Sequence, residues 1–432
     1  MPKTLSLRKR ERRSSFIAIT VCMAGAALCI FIYGLFFTES VYTRDGRAVY
    51  SRELYFLYTQ IDVTVYAAGN ERGEEALDAV EAVFWRVHSL MNRFDEGSDI
   101  HYINYYGEDD GDDDGAESVK TDGPGAGDGD AADSPSGSGG IYPLTVREET
   151  FNLIKLALQY CGQSGGAFDI GLGAVSDLWD IKAPVIVDDA VQSPVLGGLF
   201  PFLRPVQPPP EIVMPEQSPP SQAEIAEALA KSGYKKIVLD EENMTVGTPA
   251  GLRIDLGSIA KGYAVQMAAE ALMELGITDA IINAGGNIYA LGEKPPLQGG
   301  LLSGEPSGGD PRPWNVGVRN PRDEGDMELL AIVPASDKAV VISGDYERYY
   351  DYEGVRYHHI MDPATGSPAR ASISVAVVAD DSTLADYLST ALFVLGPEKG
   401  LELLAMYPGA EALIVAPDMS FHMSPGFLAV IN

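Results

Sequence analysis

Near the middle of the 432-residue chain, Ile254-Asp255-Leu256-Gly257-Ser258-Ile259-Ala260-Lys261-Gly262-Tyr263 reads as a strand that turns through Gly-Ser into a helix. The free N–H groups of such a helix start, its dipole and the Lys261 ammonium in the first turn suit a phosphate or pyrophosphate. The segment is neither a Walker loop nor a dinucleotide fingerprint, and a Gly-Ser turn before an amphipathic helix also occurs as a plain turn. In Ala385-Asp386-Tyr387-Leu388-Ser389-Thr390, Asp386 and Thr390 are four residues apart on a predicted helix. Both oxygens then emerge on one face and can reach one hard cation such as Mg²⁺. The same spacing also describes a solvated Asp and a Thr bonded back to its own helix.

A third group is Ser343-Gly344-Asp345-Tyr346-Glu347-Arg348, followed by Tyr357-His358-His359-Ile360-Met361-Asp362-Pro363-Ala364-Thr365-Gly366. Two of five histidines stand side by side, with Asp362 three residues beyond the second. Adjacent side chains of an extended segment point to opposite faces, so only one imidazole can face a given site. An imidazole near a carboxylate can act as a general base, although a lone His is commonly structural. Gly165-Gly166-Ala167-Phe168-Asp169-Ile170-Gly171 and Asn283-Ala284-Gly285-Gly286-Asn287 carry glycine pairs that let a flat ligand approach the backbone, and are also ordinary turn material.

The elements that must hold these groups follow from periodicity. Helices are predicted over 74–91, 149–161, 222–232, 260–275 and 382–395, and strands over 61–66, 236–240, 252–256, 279–283, 315–319, 338–343 and 372–378. The result is an α+β fold with mixed sheets flanked by helices in one large domain, 50–432, and no regular βαβ run. Three stretches interrupt it as loop insertions: the Gly-, Asp- and Ser-rich 107–140, the Pro-rich 201–220 and the Gly- and Pro-rich 294–313. The Asp run 112–114 lacks the closing Glu of a calcium loop.

Composition narrows the partners. The formal charge is −31, a field that repels phosphate backbones, so no nucleic-acid partner is expected. Cys22 and Cys29 lie in an apolar N-terminal run and Cys161 is alone in the body, which excludes a disulfide scaffold and a Cys-rich metal site. Basic residues in segment 1–14 precede an apolar run, 15–38, long enough for the ~20 residues that cross a bilayer. The reading is a single-pass signal anchor in the cell membrane with the body extracytoplasmic. A lipoprotein site at Cys29 competes, but Leu28 stands where a small residue is needed.

Taken in order, these blocks resemble the FAD:protein FMN transferases, the ApbE-like flavin transferases. The resemblance runs from about Thr59 to Leu428 and also includes Met91-Asn92-Arg93-Phe94, Ser98 and Asn104. It implies a Mg²⁺-dependent enzyme that takes FAD as substrate, transfers FMN to a Thr hydroxyl of an acceptor flavoprotein, and releases AMP. The implied metal ligands are the Ser258 carbonyl, Asp386 and Thr390. Lys261 would pair with the phosphates, and Phe94, Ala167, Phe168, Asp169 and Ile360 would belong to the FAD site. His359, with Asp362 beyond it, is the implied base near the acceptor hydroxyl. The acceptor would carry a Ser-Gly-Ala-Thr-like motif, which this chain lacks, so the acceptor is expected to be a separate protein. Departures from the family are Leu57 for a common Met, Phe94 for a frequent Tyr, and Gly171-Leu172-Gly173-Ala174 for a commoner Thr-Val-Gly-Pro run. The alternatives are a Mg²⁺-dependent FAD pyrophosphatase using water, and a non-catalytic FAD-binding protein.

Overall fold

The computed structural model describes residues 42–43, 45–106, 141–181, 185–186, 212–213, 217–298, 310–323 and 328–431. The anchor expected at 1–14 and 15–38 and the insertion at 107–140 lie outside them. Among the described residues no helix is long and apolar enough to cross a membrane. The helices in chain order are α1 (Asn70–Met91), α2 (Asp99–Tyr105), α3 (Glu148–Gln163), α4 (Gly173–Trp179), α5 (Gln222–Lys231), α6 (Ala260–Glu274) and α7 (Ser382–Leu404).

Ten strands form the central sheet in the order Leu297–Gln298, Tyr42–Thr43, Ala48–Phe56, Thr59–Ala67, Ala280–Ala284, Asn287–Leu291, Lys338–Gly344, Ser374–Ala379, Glu411–Val415 and Phe421–Met423. Every neighbouring pair is antiparallel, which corrects the expectation of mixed sheets. Hairpins such as Leu57-Tyr58 and Gly285-Gly286 join neighbouring strands and fix that direction. The ladder begins ahead of residue 50, and the expected insertion at 294–313 contributes both an edge strand and a bridge between Lys294 and Arg312. Within the 201–220 insertion, Ile212–Val213 pairs with Val185–Ile186.

Alternation divides the sheet's two faces. Ile61, Val63 and Val65 join Val341, Val375 and Val377 against Ala76, Leu77, Val80 and Phe84 of α1, Ala264, Ala268 and Leu272 of α6, and Leu388 and Leu392 of α7. The opposite face, with Tyr66, Val340, Ala376 and Leu413, packs on a small sheet of Trp314–Arg319, Leu329–Ala335 and Val430–Ile431. Burying each large aliphatic side chain contributes roughly 1.5–3 kcal/mol, so this core holds α6 and α7 firmly side by side. A smaller cluster of Leu172, Val175, Trp179, Ile225, Tyr350 and Met361 fastens α4 and α5 to the hairpin Tyr349–Tyr352/Val355–His358. The Trp179 indole N–H donates to the Gly366 carbonyl at 2.7 Å, tying down the turn after His359.

Residues 252–256 do not form the expected strand. Leu252, Ile254 and Leu256 are buried in alternation, but the backbone joins no ladder. The Ile254 N–H donates to Asn104 Oδ1 (2.7 Å) and the Asp255 N–H to the Ile170 carbonyl (2.8 Å). A side chain and a loop thus satisfy groups that a neighbouring strand would otherwise pair.

Candidate active site

The extended segment 252–256 delivers Asp255 to the start of α6. There the Arg93 guanidinium donates to Asp255 (2.8 Å), pairs with Asp177, and reaches the Gly173 carbonyl (3.3 Å). Burial raises the Asp255 pKa, but the Arg93 charge and the Gly257 N–H (2.9 Å) more than offset it and hold the carboxyl below its ordinary value. This pair fixes the Gly257-Ser258 turn from below.

Above the turn, helix α6 departs from its own hydrogen-bond ladder. The Gly262 N–H, which would ordinarily donate four residues back to Ser258, donates instead to Asp386 Oδ2 of α7 at 2.8 Å. Among the described residues the Ser258 carbonyl therefore accepts no backbone hydrogen bond. Only a glycine permits this approach: a Cβ on residue 262 would lie 2.3 Å from the Ser382 carbonyl oxygen and 2.5 Å from Asp386 Cβ. Asp386 is 2% exposed and Thr390, one turn on, is half-buried. Asp386 Oδ1, Thr390 Oγ1 and the Ser258 carbonyl are hard oxygen donors without hydrogen-bond partners among the described residues. That donor set, with a single carboxylate, fits an octahedral cation such as Mg²⁺ that keeps water or phosphate oxygens as its remaining ligands. No cluster of three or more His, Cys, Asp or Glu stands elsewhere among the described residues to compete for it. Lys261 extends from the same turn, with Nζ donating to the Gly257 carbonyl at 2.9 Å.

The adjacent histidines occupy different surroundings. His358 is 2% exposed, and its Nε2 bonds the Ala369 carbonyl (2.8 Å) while Nδ1 accepts from the Ile360 N–H (3.3 Å). A carbonyl can only accept, so Nε2 carries the hydrogen and the ring is neutral. Burial lowers its pKa to about 4, an effect the Ala369 hydrogen bond only partly offsets. His359 is half-buried, and its Nδ1 donates to the Arg348 carbonyl (3.3 Å), the same oxygen that accepts the His359 backbone N–H (3.1 Å). Nε2 is thereby left with the lone pair of a base. Burial, then the charges of Arg348, His358 and Lys261, hold this ring's pKa well below its ordinary value. Lys261 and Arg348 thus both act electrostatically on His359.

The structure does not bring Asp362 to the imidazole. Its carboxylate accepts from the Ala364 N–H (2.9 Å) and the Thr365 hydroxyl (3.2 Å), building the Pro-Ala-Thr-Gly turn, while the Arg348 carbonyl orients His359 instead. Phe168 likewise belongs to the core, where its ring meets Tyr387 edge-on at 5.1 Å, so the ring does not line a ligand surface. Asp169 and Ala167 are half-buried at the adjoining loop. Burial raises the Asp169 pKa, and the N–H groups of Gly171 and Tyr234 oppose this. Ile360 is buried and its carbonyl accepts from the Ala369 N–H. Phe94 is 58% exposed, with Tyr58 edge-on at 5.5 Å and Arg93 over its ring, an open aromatic face. Tyr58 and Leu57 both take positive φ at the hairpin tip.

Sequence reasoning missed two features. Arg348 closes the segment Ser343 to Arg348 with no role of its own in the sequence reading, and the ion-pair role of Arg93 has no local signal because Asp255 lies 162 residues away.

A helix start and a lysine suited to phosphate, one buried carboxylate among hard oxygens, and a neutral imidazole are held together by one α+β protein. The chain belongs to the ApbE family, whose model matches residues 57–414. It is similar to the FAD:protein FMN transferase of Treponema pallidum, 35% identical over 297 residues, 67% of this chain and 71% of the relative. The FAD:protein FMN transferase of Haemophilus influenzae is 30% identical over 283 residues, 65% of this chain and 69% of its own length. Among solved structures, the ApbE protein of Thermotoga maritima superposes with TM-score 0.63 at 29% identity, covering 88% of this chain and 98% of that one. The flavin transferase ApbE of Vibrio cholerae shares the fold, with TM-score 0.61 at 21% identity and the same coverage.

Proposed function

We propose that this chain transfers FMN from FAD to a threonine hydroxyl of a separate acceptor flavoprotein, releasing AMP. The threonine oxygen bonds to the FMN phosphorus, the pyrophosphate P–O bond breaks toward AMP, and the hydroxyl proton leaves to the base. Membership of the family and the named activity of its relatives support flavin transfer. The observation that carries the site assignment is the Gly262–Asp386 hydrogen bond, which joins the α6 start to α7 and frees the Ser258 carbonyl. Mg²⁺ held by Ser258, Asp386 and Thr390 would neutralise charge building on the pyrophosphate. The residues themselves divide the remaining work. Lys261 and the α6 N-terminus hold the anion, Phe94 offers a face to a ring, and His359 Nε2 accepts the hydroxyl proton, a role typically contributing ~10² to 10⁴-fold.

The test is to incubate the protein from about Tyr42 onward with FAD, Mg²⁺ and an acceptor domain bearing a Ser-Gly-Ala-Thr-like motif, then weigh the acceptor. A gain of one FMN is expected; AMP and FMN with an unmodified acceptor would identify a hydrolase instead. The proposal includes a membrane address, supported by the basic cluster ahead of the 15–38 apolar run. Protease added to intact cells should degrade the body, and recovery of the full-length protein in the cytosolic fraction would refute that address.

A further inference from the structure

Arg348 lies at the head of the strand Tyr349–Tyr352 and is half-buried, yet no carboxylate stands within ion-pair distance of it among the described residues. Its neighbours along the chain contrast with it. Arg322 grips Asp345 through two 2.8 Å hydrogen bonds, and Arg356 lies over the Tyr349 ring at 3.7 Å. A partly buried cation without a counter-charge is costly, because desolvation is not repaid by a pair. Burial draws the Arg348 pKa down, and the more distant charges of Asp255 and Glu347 return only part of it.

The backbone ties this residue to the candidate base. The Arg348 carbonyl holds both the N–H and Nδ1 of His359, so residue 348 and the candidate base are locked together. Asp255, at the root of the phosphate-binding turn, and Lys261, on its first helical turn, belong to the same electrostatic neighbourhood. Arg348 therefore stands on the segment bonded to His359, whereas Lys261 stands on the first turn of α6.

We infer that Arg348 is a further substrate-holding residue, whose guanidinium supplies with Lys261 a two-sided cationic grip on the pyrophosphate of FAD. This rests on the flavin-transfer reading above. A planar guanidinium can donate two parallel N–H bonds to one phosphate, whereas Lys261 acts as a point charge. The division of labour is specific: Lys261 works from the α6 turn, and Arg348 from the hairpin that also carries the base.

The test exploits the fact that residue 348 orients His359 through its main chain, which a substitution keeps. Arg348→Gln and Arg348→Lys are titrated, without acceptor, against FAD and against riboflavin by flavin fluorescence, alongside the thermal unfolding of the ligand-free proteins. Arg348→Gln is expected to raise the Kd for FAD roughly 10- to 100-fold, the range of a lost charged hydrogen bond. The riboflavin Kd should stay put, the unfolding temperature of the ligand-free protein should hold or rise because an unpaired charge is removed, and Arg348→Lys should recover part of the loss in FAD binding. An unchanged FAD Kd in Arg348→Gln overturns the inference. So does a parallel weakening of riboflavin, because a damaged fold would loosen both ligands alike. A wild-type protein that binds no FAD would instead refute the flavin-transfer reading, and this inference with it.

Discussion

Gly262→Ala tests the junction on which the site depends. The new methyl group would begin 2.3 Å from the Ser382 carbonyl oxygen and 2.5 Å from Asp386 Cβ, against ordinary contacts of 3.4 Å or more, so α6 and α7 must part by about an ångström. Overpacking of this kind costs ~1–3 kcal/mol. Separation also stretches the Gly262 N–H bond to Asp386, a charged bond between buried groups worth ~1.5–3 kcal/mol. Alanine returns roughly 1 kcal/mol of helix propensity, leaving a net loss of about 1.5–5 kcal/mol. Gly162→Ala in α3 is the control, since its Cβ would meet nothing within 4 Å and the residue has helical φ; it should stabilise by ~0.5–1 kcal/mol. Urea unfolding with a tryptophan fluorescence readout measures both, and FMN transfer should fall further in Gly262→Ala than its stability loss alone explains. Equal midpoints for wild type and Gly262→Ala, with transfer retained, would refute the described contact between the helices.

Other outcomes follow from the same geometry. Asp386→Ala removes the only carboxylate of the proposed cation site and should abolish Mg²⁺-dependent transfer while FAD still binds; full activity at saturating Mg²⁺ would exclude that role. His359→Ala should slow transfer by ~10² to 10⁴-fold, with FAD affinity nearly kept, and His358→Ala should act mainly on stability. Because the His359 pKa is held well below its ordinary value, kcat/KM for transfer should show no His inflection near pH 6.5, and an inflection there would contradict that lowered pKa. For His358 the folded pKa of about 4 lies below the unfolded value of about 6.5. The unfolded chain therefore takes up a proton first, and stability should fall as pH drops from about 6.5 to about 4. The expected loss is roughly 3 kcal/mol, measured as a urea-midpoint difference that His358→Asn largely abolishes.

Periodicity located the elements whose burial is one-sided. The α1 stripe Ala76, Leu77, Val80, Phe84 and Val87 repeats at helical spacing because one face meets the sheet. The α7 signal ended early at Leu395 because Gly396 takes φ 75° before Pro397, so the segment is two helices merged across a kink. Residues 252–256 alternate as a strand does, but their hydrogen bonds go to Asn104 and Ile170, 150 and 85 residues away in sequence, where no local pattern can announce them. The site divides in the same way. Asp386, Thr390, Lys261 and His359 stood out as candidates by type and spacing, because one helix face or one turn positions each, and the family resemblance supplied the roles expected of them. Asp362 misled because an Asp that builds a turn and an Asp that steers an imidazole have the same local sequence; only the partner distinguishes them, and here the partners are Ala364 and Thr365. Arg348 went unnoticed because its distinction is the absence of a counter-charge, a property of three-dimensional surroundings.

The contacts that build the site join segments far apart along the chain: Arg93 with Asp255, Asn104 with Ile254, Trp179 with Gly366 and Gly262 with Asp386. For a chain emerging from the ribosome this sets a schedule. Arg93 and Asn104 appear early, but their acceptors arrive about 150 residues later, and Asp386 completes the junction 293 residues after Arg93. At ~5–20 residues per second the interval from Arg93 to Asp386 lasts roughly 15–60 s. Throughout it, the Arg93 guanidinium and the Asn104 amide must remain hydrated or be shielded by other proteins. A nascent chain stalled before α7 could hold much of the sheet yet lack the Gly262–Asp386 junction, so whatever binding depends on that junction should appear abruptly once α7 has emerged.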